Sequence, residues 1–201
     1  MHANGMLNVH SQRKPQQRGQ ALIEWLIVCL PLICLGSLLV EVSDWHMTRQ
    51  RLALAAQRAT TLASLEGGQT YRIMQALEQL LPADLRDTLE VCVTDPINEL
   101  MHDFKDEKLS RKLGFAVIRH DHLADQHRHW VAKGWPQGIG PRSRRDISQA
   151  NRLNVRVVLN HQPASPWIRF FLPTIRIQSN HQAVMQSHRR HDESGCLRRQ
   201  R

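Results

Sequence analysis

The chain has 201 residues and a formal net charge of +9, with 27 lysine and arginine residues against 18 aspartate and glutamate residues. This length excludes a (β/α)₈ barrel and a two-domain dinucleotide enzyme, and the sequence contains no phosphate-binding loop and no dinucleotide fingerprint. Four cysteines are too few for a disulfide-dense scaffold. The composition therefore gives no support to nucleotide chemistry.

Residues 1–19 are predicted to form a basic cytoplasmic leader, and residues 20–42 a transmembrane helix. The leader has no acidic residue and carries three basic ones: Arg13, Lys14 and Arg18. Short basic flanks stay on the cytoplasmic side of a membrane. The run that follows is almost wholly apolar, and from residue 21 its clearly polar members are Glu24, Ser37 and Glu41. As a helix it would span about 33 Å, close to a hydrocarbon core of ~30 Å. We therefore expect a single-pass protein of a bacterial inner membrane, with its C-terminal domain in the periplasm.

Two conventional explanations of such an apolar run compete. A cleaved secretory signal has a shorter apolar region, of ~7–15 residues, and ends in a small-residue cleavage site. The segment Glu41-Val42-Ser43 is a poor site of that kind. An uncleaved signal anchor fits the length better, and it accounts for everything except the acidic residue near the start of the run.

Glu24 lies one helical turn inside the apolar run, where an ionised carboxylate is costly. If a peptidase cut after Gly19, Gln20 would carry a new terminal ammonium group. Gln20 and Glu24 are four residues apart and would share one face of a helix, with Trp25 following directly. A carboxylate in the first turn also complements the positive end of the helix dipole. The ammonium group of a neighbouring subunit could then neutralise Glu24 and set the register between subunits.

These residues resemble a known family. This part of the sequence resembles the start of TadE-like pseudopilins, which are minor pilin-like components of the tight-adherence (Flp, type IV) pilus system. The resemblance rests on the stretch Arg18-Gly19-Gln20-Ala21-Leu22-Ile23-Glu24-Trp25 and on the aliphatic run with Pro31 after it. The family usually has tyrosine or phenylalanine in place of Trp25. The close resemblance covers about residues 17–66.

The resemblance implies a processing site, an assembly role and a set of partners. A dedicated prepilin peptidase would cleave between Gly19 and Gln20, so that Glu24 becomes the fifth residue of the mature chain. The mature chain would join, prime or support a Flp-type pilus by packing its N-terminal helix against other pilin helices. The implied partners are the prepilin peptidase, the major Flp-type pilin, other minor pseudopilins and the inner-membrane assembly platform.

The helix is predicted to continue beyond the membrane as a stalk at 43–66. Apolar residues recur there at helical spacing, and Gly67-Gly68 is a stop signal. Pro31 lacks a backbone N–H and is expected to kink the helix.

Residues 67–186 are predicted to form an α+β domain with a small, mostly antiparallel sheet, an order that resembles pilin-like proteins. A second helix is expected at Tyr71–Leu81. Alternating or aromatic runs predict strands: Leu89–Thr94, Phe115–Ile118, Leu153–Val157, Trp167–Leu172 and Thr174–Gln178. The segment Ile97–Leu113 is expected to be partly helical, and His120–Arg145 a long loop. Residues 187–201 read as a basic disordered tail.

Other candidate sites carry less weight. Cys92 and Cys196 both lie in the exported part and are candidates for a disulfide, which spacing alone cannot establish. Four histidines, at positions 120, 122, 127 and 129, lack the further ligands that would complete a metal site. Catalytic motifs are absent, so we expect neither an enzyme nor a cofactor. The basic surface is interpreted as solvated, and nucleic acid is an unlikely partner of an exported domain.

Two alternatives to the pseudopilin hypothesis are kept. An uncleaved, signal-anchored periplasmic binding or sensor domain needs neither Gly19 nor Glu24. A type II secretion pseudopilin shares the N-terminal chemistry, although the context of Pro31 and the Arg-Gly-Gln-Ala-Leu start favour the tight-adherence system.

Overall fold

A computed structural model describes residues 17–95, 98–190 and 196–199, with side chains from residue 21 onward. The chain forms two compact units, Met1–Val42 and Ser43–Arg201. Most of the predicted leader therefore lies outside the described residues. The architecture is α+β, as predicted: a long apolar N-terminal helix is followed by a domain with a small antiparallel sheet.

The first helix, α1, is Gln17–Leu65 and has 49 residues. It is long and apolar enough to cross a membrane, by the criteria of length and composition. Its end agrees with the stop signal, since Gly67 and Gly68 both adopt positive φ angles of 88° and 74°. Pro31 lies inside the helix, and the kink expected there stays a prediction.

The remaining elements all belong to the second unit. The helices are α2 (Thr70–Leu80), α3 (Ala83–Arg86), α4 (Asn98–Phe104), α5 (Glu107–Leu113), α6 (Leu123–Ala132), α7 (Ile147–Ala150) and α8 (Pro166–Phe171). The strands are β1 (Leu89–Asp95), β2 (Val117–Ile118), β3 (Arg152–His161), β4 (Ile175–Val184), β5 (Arg189–Arg190) and β6 (Cys196–Arg198).

The main sheet has the order β4-β3-β1-β6, and its neighbouring strands are all antiparallel. β3 and β4 pair over their full length, from Arg152 opposite Val184 to His161 opposite Ile175. β2 and β5 form a separate two-stranded ribbon. β3 and β4 follow each other in the chain, whereas β1 pairs with strands that are distant in sequence on both of its sides.

The second half of α1 packs against the sheet and forms the main core. Its buried face consists of small residues and one leucine: Leu52, Ala55, Ala56, Ala59 and Ala63. They meet alternate residues of β1 and β3, including Leu89, Val91, Leu153, Val155, Val157 and Leu159. Alanines on the helix allow it to approach the sheet closely, while the branched residues of the strands fill the space between them.

Two polar contacts fix the direction of this half of α1 along the sheet. At one end, Asp44 Oδ2 lies 3.2 Å from Nε2 of His161, the last residue of β3. At the other end, the carbonyl of Ser64 accepts hydrogen bonds from the Gln186 amide at 3.1 Å and the Ser187 hydroxyl at 2.9 Å. The helix therefore runs from the His161 end of the sheet to the end where β4 finishes.

A second core lies beside α4, α6 and α7 and is built on aromatic rings. Phe104 makes edge contacts with Trp130 and Trp135 at centroid distances of 5.4 and 5.5 Å, and the two indoles stack at 4.5 Å. The Lys133 ammonium group lies 4.6 Å from the centroid of the Trp130 ring. Stacked and edge-on pairs of this kind add stability beyond the burial of their area.

Three sequence predictions are corrected here. The expected loop at 120–145 contains helix α6, because its glycines and prolines all lie after residue 133. The expected strand at 167–172 is helix α8, with Pro166 in its first turn. The expected disordered tail contains β5 and β6, held by pairing to β2 and β1.

Gly140→Ala is expected to lower the free energy of unfolding of the second unit by about 1–3 kcal/mol, the usual cost of overpacking. A methyl group at Gly140 would collide with Asp103 Oδ2 and approach Ser143 Oγ to 2.8 Å. That carboxylate oxygen is held in place, since it accepts hydrogen bonds from the amides of Arg142 and Ser143 at 3.1 and 2.8 Å. Denaturant unfolding of the detergent-solubilised full chain, followed by tryptophan fluorescence, measures the effect. In an Asp103→Ala background the same substitution should cost much less, and an equal cost would contradict this explanation.

Candidate assembly segment in α1

The part of α1 before Ser43 exposes most of its large apolar side chains, as far as the structure describes the chain. Fourteen large apolar side chains between Leu22 and Val42 are at least 40% exposed. Contiguous apolar patches of this size are rare on soluble monomers and mark membrane or protein contacts. The exposed apolar surface of this segment is therefore compatible with a transmembrane helix or a signal anchor.

The predicted processing and register residues all lie within this helix. Gly19 and Gln20 are part of the helical backbone, and Glu24 follows one turn later with an exposed side chain. Residues four apart in a helix share one face, so the shared face of Gln20 and Glu24 stays the prediction made from their spacing. The structure does not test cleavage between Gly19 and Gln20, which stays a prediction.

Trp25 and Pro31 lie on the same exposed segment. The Trp25 ring is 66% exposed, beside Glu24 in sequence. Aromatic rings of this kind favour the membrane–water interface, which is also where a glutamate costs least. Pro31 lies inside α1, which continues on both sides of it.

Cys92 and Cys196 face each other across β1 and β6, and a disulfide joins their sulfur atoms. It links the C-terminal segment to the sheet through a covalent bond. Cys29 and Cys34 of α1 are free.

The four candidate histidines do not come together as a metal site. Among the described residues, the one group of three side chains whose ligand atoms converge is Glu90, Cys92 and Cys196. Its two sulfur atoms are already bonded to each other, so they are not thiolate ligands. His122 instead lies 3.7 Å from Asp125 on the surface of α6.

A cleft of about 690 Å³ opens between α5 and α6 and bears on the binding-domain alternative. Charges of both signs line it: Lys105, Lys108, Arg111, Arg119 and Lys133 against Asp106, Glu107, Asp121 and Asp125. Some of them pair locally, such as Arg119 Nε with Asp121 Oδ2 at 2.9 Å. The lining therefore does not present one sign of charge to a ligand.

Sequence reasoning missed Arg189, which lies in the segment expected to be disordered. Its side chain is 3% exposed, and its guanidinium group donates to the carbonyls of Arg152 and Asp95, both at 2.7 Å. Burial lowers the pKa of Arg189 to about 9, against the opposing effect of the nearby Asp95 carboxylate. The guanidinium group therefore stays charged at neutral pH and ties β5 to the ends of β1 and β3.

Comparison with known proteins gives no relative for this chain. It matches no protein-family model, no curated protein and no solved structure. The function therefore has to be inferred from the residues and their geometry.

Proposed function

We propose that the chain is a minor pilin-like component of tight-adherence (Flp-type) pilus biogenesis, processed between Gly19 and Gln20. The single observation that carries the proposal is the position of Gly19 and Glu24 at the start of one helix whose apolar surface is uncovered. A helix of this kind can exchange lipid for the helices of neighbouring subunits. The role of the protein is assembly rather than turnover.

Glu24 gives this assembly its register. In the bilayer a carboxylate is costly unless it is paired, and the new ammonium group at Gln20 of an adjacent subunit is a suitable partner. The attraction of two unit charges 4 Å apart is about 4 kcal/mol at an effective dielectric constant of about 20. Subunits stacked out of register would lose this pairing.

The membrane placement follows from the same residues. The basic leader stays in the cytoplasm, the apolar segment crosses the inner membrane, and the domain from Ser43 lies in the periplasm. Prepilin peptidase, the major pilin, other pseudopilins and the assembly platform are the proposed partners.

Gly19→Ala is expected to abolish processing. The wild-type chain recovered from native membranes should lack residues 1–19 and begin at Gln20, whereas the variant should keep its leader. Intact-mass and N-terminal peptide mass spectrometry of the two proteins make the measurement.

Gly36→Ala is a matched control for this experiment. Gly36 lies in the same helix, and a methyl group there would meet nothing within 4 Å. The control should be processed like the wild type. An intact wild-type leader, in a host whose prepilin peptidase is active, would overturn the proposal in favour of a signal-anchored domain.

A further inference from the structure

Helix α8 presents a large apolar surface to solvent. Phe170 and Phe171 are 83% and 74% exposed, and they are accompanied by Trp167 and Leu172 at 40% and 49%. Surface residues of this size are unremarkable one at a time, but four in six positions form a patch that marks a contact. We call Trp167, Phe170, Phe171 and Leu172 the aromatic tip.

The fold holds the aromatic tip in place rather than leaving it on a loose loop. Ile168, in the middle of α8, is buried at 4% exposure. The guanidinium group of Arg169 donates twice to the carbonyl of Pro163, at 3.1 and 2.8 Å. The two phenylalanine rings also meet edge to face, with centroids 5.3 Å apart. The fold therefore displays this apolar surface on an anchored support.

Within the second unit, the aromatic tip lies near the end of the sheet that Asp44 contacts, close to the start of that unit. It belongs to the connection between β3 and β4, whose last and first residues, His161 and Ile175, are paired. His161 is the residue that contacts Asp44, only two positions after Val42 ends the apolar run. Ile175 is four positions after Phe171, a reach of at most about 14 Å.

The neighbouring side chains suit a membrane surface. Trp45 is half-buried at the same end, and tryptophan is enriched where apolar chain meets lipid headgroups. Arg169 lies between Trp167 and Phe170, and Arg176 follows the tip in sequence. Both are exposed, and arginine is attracted to the phosphate groups of anionic lipids.

We infer that the aromatic tip inserts into the periplasmic-side interface of the membrane that residues 20–42 cross, which gives the domain a second membrane contact. The partner of the aromatic tip is the lipid–water interface. The aromatic rings would lie at the depth of the headgroups, and the arginine side chains near the lipid phosphates. This inference rests on the membrane placement proposed above, but not on processing at Gly19. Extraction of the subunit into a pilus would then require the tip to leave the lipid.

Depth-sensitive labelling of the full chain tests the inference. In a Cys29→Ser, Cys34→Ser background, Phe171→Cys is labelled with an environment-sensitive fluorophore, while the Cys92–Cys196 disulfide is left oxidised. The protein is reconstituted in vesicles of phosphatidylethanolamine and phosphatidylglycerol that contain a lipid with a shallow spin label. We expect a blue-shifted emission from position 171 and strong quenching by the spin-labelled lipid.

Gln182→Cys is the matched control, since it is exposed on the same β4 strand toward its other end. Its probe should emit as in water and escape quenching. If the chain is inserted but its probe at 171 behaves like the probe at 182, the inference is overturned. The aromatic tip would then be a candidate surface for docking another protein. The proposed function would be unaffected by this result. A chain that fails to remain in vesicles after alkaline extraction would overturn the membrane placement itself.

Discussion

Glu24→Leu is expected to abolish incorporation of the subunit into pili while leaving its insertion into the membrane unchanged. Leucine is favourable in the bilayer and an acidic residue is not, so the substitution removes an insertion cost of up to about 3 kcal/mol. If the helix were only an uncleaved membrane anchor, the variant would insert into the membrane as well as the wild type or better. If Glu24 pairs with the ammonium group of another subunit, the variant loses the register contact of the assembly.

The measurement combines three readouts on the same cells. The amount of subunit in sheared pili should fall at least about tenfold, as expected for loss of an interaction of ~1.4 kcal/mol or more. Carbonate-resistant membrane association and cleavage at Gly19 should stay at wild-type levels. Glu24→Gln removes the charge but keeps the shape and should fail in the same way, whereas Trp25→Phe keeps an aromatic ring and should assemble. Normal incorporation of Glu24→Leu would contradict the register role and favour the signal-anchor alternative.

Arg189→Met is expected to lower the free energy of unfolding of the second unit by about 3 kcal/mol, because it removes a buried charged donor and leaves the carbonyl groups of Arg152 and Asp95 without the hydrogen bonds it makes. Methionine fills a similar volume, so the effect reports the lost hydrogen bonds rather than a cavity. The carbonyls of Arg152 and Asp95 lose bonds of 2.7 Å, and Asp95 also loses a nearby positive charge. Arg189→Lys should be intermediate, because an ammonium group cannot reproduce the planar fork.

Arg190→Met is the control, since Arg190 is the next residue of β5 and is exposed. Its guanidinium carbon lies 4.7 Å from the centroid of the Phe115 ring, a contact worth about 0.5–1 kcal/mol at an exposed site. Denaturant titration of the full chain in detergent, followed by circular dichroism, compares the variants. Equal losses for Arg189→Met and Arg190→Met would show that the buried guanidinium group has no special role.

Local patterns predicted the elements that depend on local chemistry. The long apolar helix ends where two glycines permit left-handed backbone, and the alternation at Leu89–Thr94 matches strand β1. The proposed processing motif is also local, because Gly19, Gln20 and Glu24 need only helical spacing to define a face.

The elements that sequence reasoning missed depend on distant partners or on one decisive residue. The aromatic run at 167–172 suggested a strand, but Pro166 starts a helix and only Ile168 of that run is buried. The sequence did not predict that Arg189 is buried, because the carbonyl of Asp95 that it binds is 94 positions away. His161 contacts Asp44 in the same long-range manner, so the position of the aromatic tip could not be read from composition.

The contacts of α1 at Asp44 and Ser64 would have a consequence for the export proposed above. The helix is among the first parts of the domain to emerge from a translocation channel, yet its contact at Ser64 waits for Ser187, 123 residues later. Its core partners in β3 arrive late as well, so the long-range contacts that close the domain cannot form until nearly all of the chain has crossed. In the proposed membrane placement, the polypeptide would therefore remain unfolded enough to pass through the channel until most of it has crossed.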